Sequence, residues 1–163
     1  MMLENEVLKL LEENAKLSAQ EIADMLNAPV DEIHAVIKKA HAEKLILGYK
    51  ATINWNKLGK DVVFAYIEAK ITPQKDVGFD AIAESICKFE DTVDVCLMSG
   101  SMDLLILVKG SSLQDIANFV TQKLSTVDGV TGTASHFMLK YYKEDGVIVS
   151  QKEDSGHRQS VVL

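Results

Sequence analysis

The segment with the clearest chemical potential is Ser99-Gly100-Ser101-Met102-Asp103, set between two apolar runs, 93–98 and 104–108. A tight glycine-containing turn can aim successive backbone N–H groups at an anion, and Gly100, Ser101 and Met102 would supply them. Asp103 beside them can take a cation through a charge-assisted hydrogen bond. The same residues also suit an ordinary hairpin, with glycine at positive φ and aspartate bonding the turn backbone, and both readings stand. A second chemical feature is basic. Residues 30–60 hold six lysines (38, 39, 44, 50, 57 and 60) against Asp31, Glu32 and Glu43, a net +3. The whole chain, with 17 Lys+Arg and 24 Asp+Glu, carries −7, so the remainder carries −10. A uniformly basic nucleic-acid binder is excluded, but a positive patch on an acidic body suits binding confined to one element.

Other chemistries find no pattern. There is no Walker loop or dinucleotide fingerprint, and no nucleophile elbow links the serines and histidines. Cys87 and Cys96 form no CxxC, which predicts reduced thiols packed in a core. His34 and His41 lie seven apart, off the i, i+4 spacing of a helical metal pair, and His136 is expected to pack or face solvent. No enzyme activity, metal or cofactor is expected. No apolar run approaches the roughly 20 residues that span a bilayer, and the start has no basic, cleavable leader. A cytoplasmic protein without membrane contact is therefore expected.

These groups need elements to position them. Leu3, Val7, Leu8, Leu10 and Leu11 recur at helical spacing up to about Asn14. Ser18-Ala19-Gln20-Glu21 is a capping box opening a second helix with Ile22, Ala23, Met25 and Leu26 on its apolar face. Asn27-Ala28-Pro29 breaks it. A third helix turns Ile33, Val36, Ile37 and Ala40 inward and its lysines mostly outward, completing a helix-turn-helix plan. Beyond residue 61 the order is β-α-β-β-α-β, a ferredoxin-like split unit whose last strand is expected to run through Tyr142. Its helices cover one sheet face. The other is an apolar association surface, which predicts at least a homodimer.

Several stretches in this order resemble the leucine-responsive regulatory protein (Lrp)/AsnC family of transcription regulators: Leu17-Ser18-Ala19-Gln20-Glu21-Ile22-Ala23, Leu45-Ile46-Leu47-Gly48-Tyr49-Lys50-Ala51, Asn56-Lys57-Leu58-Gly59, Ser99 to Leu105, and Gly129 to Ser135. The resemblance runs to about Gly146. It implies an α+β chain with a winged helix-turn-helix DNA-binding domain over 1–50, a linking strand or hinge over 51–61, a ferredoxin-like sensing and oligomerisation domain over 62–146, and an extension over 147–163. It further implies a homodimer assembling to an octamer, double-stranded DNA as partner, and a free amino acid as effector. Gly100, Ser101, Met102 and Asp103 would hold the zwitterion, with Thr133 and Ser135 on the family's second hydroxyl-bearing strand.

The chain departs from the family pattern in its recognition helix. Pro29 stands at the cap, Asp31 and Glu32 fill the first turn, and Ala35 and Val36 occupy the usual arginine positions. No bidentate Arg–guanine contact is available there. Ser18, Gln20, His34, Lys38, Lys39, His41 and Lys44 remain for DNA, and they suit phosphate contacts better than base reading. Avidity between heads of an oligomer would then supply affinity. The alternative is an effector-binding assembly protein of the same fold, with a head that no longer reads DNA and acts on protein partners. The extension ends in Val161-Val162-Leu163, which invites docking on a neighbouring subunit.

Overall fold

The computed structural model describes residues 2–58, 62–72 and 78–149 and divides the chain into two compact units, Met1–Thr52 and Ile53–Leu163. The end of the linking segment at 59–61 and the extension from residue 150 onward, with its apolar terminus, lie outside the described residues.

In the first unit, α1 (Met2–Glu13), α2 (Ala19–Leu26) and α3 (Val30–Ala42) close around Val7, Leu11, Ile22, Ala23 and Ile33. Each fully buried Ile, Leu or Val contributes about 1.5–3 kcal/mol, which is what a short helix needs in order to persist. The Ser18 capping box forms as the sequence predicts. The Glu21 N–H donates to Ser18 Oγ at 3.2 Å, and the Ser18 N–H donates to the Glu21 carboxylate at 2.8 Å. These bonds from Ser18 hold the Glu21 carboxyl below the usual carboxylate range. Asn27 ends α2 in the left-handed region (φ 49°), and Pro29 opens α3 with no side-chain cap. At the other end of α3, Lys44 adopts φ 56° while the N–H groups of Lys44 and Leu45 return to His41 O and Ala40 O. This is the Schellman arrangement, with lysine where glycine usually sits.

The stretch 45–51, one of those that carry the family resemblance, and the start of the linking segment form no strand among the described residues. Residues 45–54 carry an exposed alternating stripe, Leu45, Leu47, Tyr49 and Ile53. No strand among the described residues runs beside it, and a lone alternating segment gains no ladder to hold it regular. A single 3₁₀ turn, Trp55–Leu58, follows.

The second unit is a four-stranded antiparallel sheet in the order β2-β3-β1-β4, built from β1 (Val63–Ile71), β2 (Thr92–Leu97), β3 (Leu104–Gly110) and β4 (Val130–Phe137). Helices α4 (Gly78–Cys87) and α5 (Leu113–Gln122) cover one face. Alternation along β1 and β3 sends Ala65, Ile67, Ala69, Leu104, Ile106 and Val108 to that face, against Ile82, Ile86, Ile116 and Phe119. Both cysteines are exposed, contrary to the core expectation. Cys87 closes α4 one residue past the inward Ile86. Cys96 follows Val95, which packs on the helices, so strand alternation turns it to the other face.

The chain leaves the sheet at Phe137, earlier than expected. The Met138 N–H still donates to Phe64 O, but Tyr141 then folds over Phe64 (centroids 5.8 Å apart, planes at 85°). A small hairpin of β5 (Lys143–Glu144) and β6 (Val147–Ile148) follows, turning at Asp145 and Gly146, both with positive φ.

Candidate functional site

The β2–β3 hairpin is held at its base by three bonds. The Met98 N–H donates to Asp103 O at 2.8 Å, and the Asp103 N–H donates to Ala69 O at 3.2 Å. The Ile71 N–H donates to Asp103 Oδ2 at 2.8 Å in a half-buried position. The Asp103 carboxylate thus clasps the end of β1 with one oxygen and keeps the other for a further donor. At the tip, Gly100 has φ 127°, and a Cβ placed there would meet nothing within 4 Å. Among the described residues, no group uses the backbone N–H of Gly100, Ser101 or Met102. Three open donors and one open carboxylate oxygen can take an anion and a cation side by side.

Thr133 and Ser135 lie exposed on β4, opposite Ala69 and Ile67 of β1. Leu104, the neighbour of Asp103, and Thr133 therefore flank the same β1 residue, Ala69, from its two sides, about 9–10 Å apart by strand spacing. The two hydroxyls share the helix-bearing face, whereas Asp103, one residue before the inward Leu104, belongs to the other. One chain does not gather all six candidate effector residues around one point.

In the head, His34 and Lys38 stand one helical turn apart on the exposed side of α3, and neither side chain has a partner among the described residues. Lys44, exposed just past the helix end, likewise has no side-chain partner among the described residues, whereas Lys39, His41, Gln20 and Ser18 are engaged within the unit. Lys39 Nζ lies 3.1 Å from Glu4 and 3.8 Å from Glu43, and the Glu4 carboxylate raises the ammonium above its ordinary value. His41 Nε2 meets the Tyr49 hydroxyl at 3.2 Å. Gln20 donates to Asp24 at 2.8 Å, and Ser18 is occupied by its cap. Lys39 is thus a staple between α3 and α1, a role that the outward pattern of α3 did not reveal.

The uncovered sheet face carries Phe64 and Tyr66 from β1, with Tyr66 directly paired to Leu107 of β3. Cys96 and Leu105 form the next pair. Burial, followed by the Glu144 charge, pushes the Tyr141 hydroxyl up to about 12. The Tyr141 ring is therefore neutral across the physiological range. His136 and Glu68 approach to 3.1 Å toward the β4 edge. The alternating Phe64-Ala65-Tyr66-Ile67 run signals this face, but the Tyr141 cover lies outside any strand pattern.

Residues 64–148 match the model of the Lrp/AsnC ligand binding domain, just over half of the chain. An uncharacterized HTH-type transcriptional regulator of Bacillus subtilis, YugG, is 43% identical over 152 residues, covering 93% of this chain and 92% of that protein. The chain belongs to the Lrp/AsnC family. The Lrp/AsnC likeness extends to weaker relatives. The proline dehydrogenase transcriptional activator of Rhizobium radiobacter is 22% identical over 86% of this chain and 90% of its own length. Among solved structures, Escherichia coli AsnC superposes with TM-score 0.68 at 19% identity, over 88% of this chain and 95% of that one. A transcriptional regulator from Neisseria meningitidis in complex with L-Met gives TM-score 0.71 at 20% identity, over 90% and 94%. These two establish the shared fold. No helix among the described residues is long and apolar enough to cross a membrane, and no His, Cys, Asp and Glu cluster among them could hold a metal ion.

Proposed function

We propose that the chain is a cytoplasmic, amino-acid-responsive transcriptional regulator that binds double-stranded DNA through its three-helix head and dimerises through its uncovered sheet face. The observation that carries this reading is the continuity of the 43% match to an HTH-type regulator across both units. His34 and Lys38 lead the DNA contact because their side chains are unengaged, and Lys44 at the helix end adds a second ammonium group. Ser18 and Gln20 reach phosphate through α2's first turn, while Lys39 and His41 act chiefly by holding the head together. Dimers assemble to an octamer whose several heads raise affinity through effective concentration. The effector is a free α-amino acid. The Gly100–Met102 N–H groups take its carboxylate and the open Asp103 oxygen its ammonium, with Thr133 and Ser135 supplied from a neighbouring copy. The L-Met named for the Neisseria protein supports this class.

Two measurements test the reading. In fluorescence anisotropy with genomic fragments, log K against log salt should fall steeply, and Lys38→Ala should reduce the slope by about 1 per head that touches DNA. No binding at low salt would remove the DNA role and favour action through protein partners. For the effector, Asp103→Asn is the informative substitution. Its side-chain oxygen still accepts from the Ile71 N–H, so the fold is retained while the charge is lost. Ligand-induced thermal stabilisation by amino acids should drop with an affinity loss of about 10–100-fold, the worth of a charge-assisted bond. An undiminished shift would take Asp103 out of the site.

A further inference from the structure

A second recess lies on the other side of the ferredoxin-like unit. Ile82, Ser85 and Phe89 lie along one face of α4 and its C-terminal extension, and with Val127 and Asp128, the residues leading into β4, they line a cavity of about 540 Å³. That volume falls within the range of small-molecule sites, roughly 300–1,000 Å³. The walls are set by packing. The Phe89 ring is fixed edge-on against Phe119 at 5.6 Å. The Ile82 side chain lies so close to Gly129 that a Cβ there would come within 2.5 Å of its Cδ1. Ser85 Oγ donates to Ile82 O, leaving its lone pairs as the hydroxyl's acceptor capacity.

The charges define the occupant. Lys88 lines the cavity from the helix side and Asp128 from the loop side. Among the described residues neither side chain has an ion-pair or hydrogen-bond partner, and they do not pair with each other. A free cation and a free anion over one apolar floor match a zwitterion with an apolar body. A simple anion would be repelled by Asp128 and a simple cation by Lys88. We propose that this cavity binds a free α-amino acid with a large apolar side chain, at a site contained within one chain and separate from the β2–β3 hairpin. The ligand class follows from the cavity's own charges and does not rest on the hairpin reading.

The test uses the full chain labelled with ¹³C at isoleucine δ1 methyls, titrated with L-leucine and L-phenylalanine. The Ile82 methyl resonance should shift and saturate. L-leucinamide, which lacks the carboxylate, and 4-methylpentanoate, which lacks the ammonium, should each bind about tenfold or more weakly. Lys88→Gln should cause a similar loss, whereas Asp103→Asn should leave the Ile82 response intact. No Ile82 shift with either amino acid at millimolar concentration overturns the site. Equal binding of the zwitterions and the two analogues reduces it to an apolar cleft. Loss of the Ile82 response in Asp103→Asn overturns its separateness, because the signal would then come from the hairpin.

Discussion

Tyr66→Asp should convert the protein from an oligomer to a monomer at micromolar concentration, measured by light scattering coupled to size exclusion. Tyr66 sits on the central strand β1, paired with Leu107, at the middle of the uncovered face, and remains 40% exposed in the single chain. Phe64, Leu105 and Leu107 surround it with apolar surface, and Tyr141 adds a ring that stays neutral. A two-fold interface there meets each Tyr66 substitution twice. A carboxylate at an interface centre is left buried and unpaired, at a cost comparable to losing a hot-spot aromatic. Two copies cost about 4 kcal/mol or more together, roughly a thousandfold in Kd. Cys96 shares this face, so its thiol should be slow to alkylate in the wild type and fast in Tyr66→Asp, with Cys87 reacting alike in both. A variant that remains dimeric with Cys96 protected would place the interface elsewhere.

Much of this architecture was legible because it depends on periodicity. The i, i+4, i+8 spacing of Leu3, Val7 and Leu11 and the strict alternation of β1 each leave only one face to bury. The Ser18–Glu21 cap was legible because both partners lie within one turn. What escaped depends on groups distant in sequence. Lys39 reads as a solvated lysine until Glu4, 35 residues away, is brought to 3.1 Å. Asp103 reads as a turn residue until the Ile71 N–H, 32 residues earlier, donates to it. The cysteines escape because apolar character does not fix burial; their positions on the helix and strand turn both to the surface. The segment 45–54 has strand chemistry and no strand partner among the described residues, and pattern alone does not supply the second edge.

The charge argument also changes with the unit boundary. The +3 over residues 30–60 includes Lys57 and Lys60, which lie beyond the compact head Met1–Thr52. The head itself holds six lysines against nine acids. Lys39 is further neutralised by Glu4 and Glu43. Long-range attraction to a polyanion is therefore weak, and under the proposed function DNA affinity must come from short-range contacts by a few groups, such as Lys38 and Lys44, repeated across an oligomer. Steep salt dependence and dependence on oligomerisation should consequently travel together. Tyr66→Asp, with its head unchanged, should lose most DNA affinity along with its partner subunit.

The largest stability loss from one added methyl group is expected at Gly129→Ala. Gly129 has φ 94°, a conformation that alanine adopts only with strain of about 1–3 kcal/mol. The added Cβ would also lie 2.5 Å from Ile82 Cδ1 and 3.2 Å from Thr72 O. The isoleucine can turn away only by leaving its packed rotamer against the sheet. The backbone carbonyl is held because the Thr72 N–H donates to Gly129 O at 2.8 Å, tying the two segments together. Strain and overpacking together should cost about 2–4 kcal/mol, read as a lower urea midpoint at fixed protein concentration, since the proposed association would contribute to stability. Gly146→Ala separates the two terms. Gly146 has φ 82° with nothing within 4 Å of the added carbon, so only strain remains, about 1 kcal/mol. Equal losses at the two positions would show that contact with Ile82 contributes nothing. A larger loss at Gly129 would show that the close approach of β4's entry to α4 is what glycine there provides.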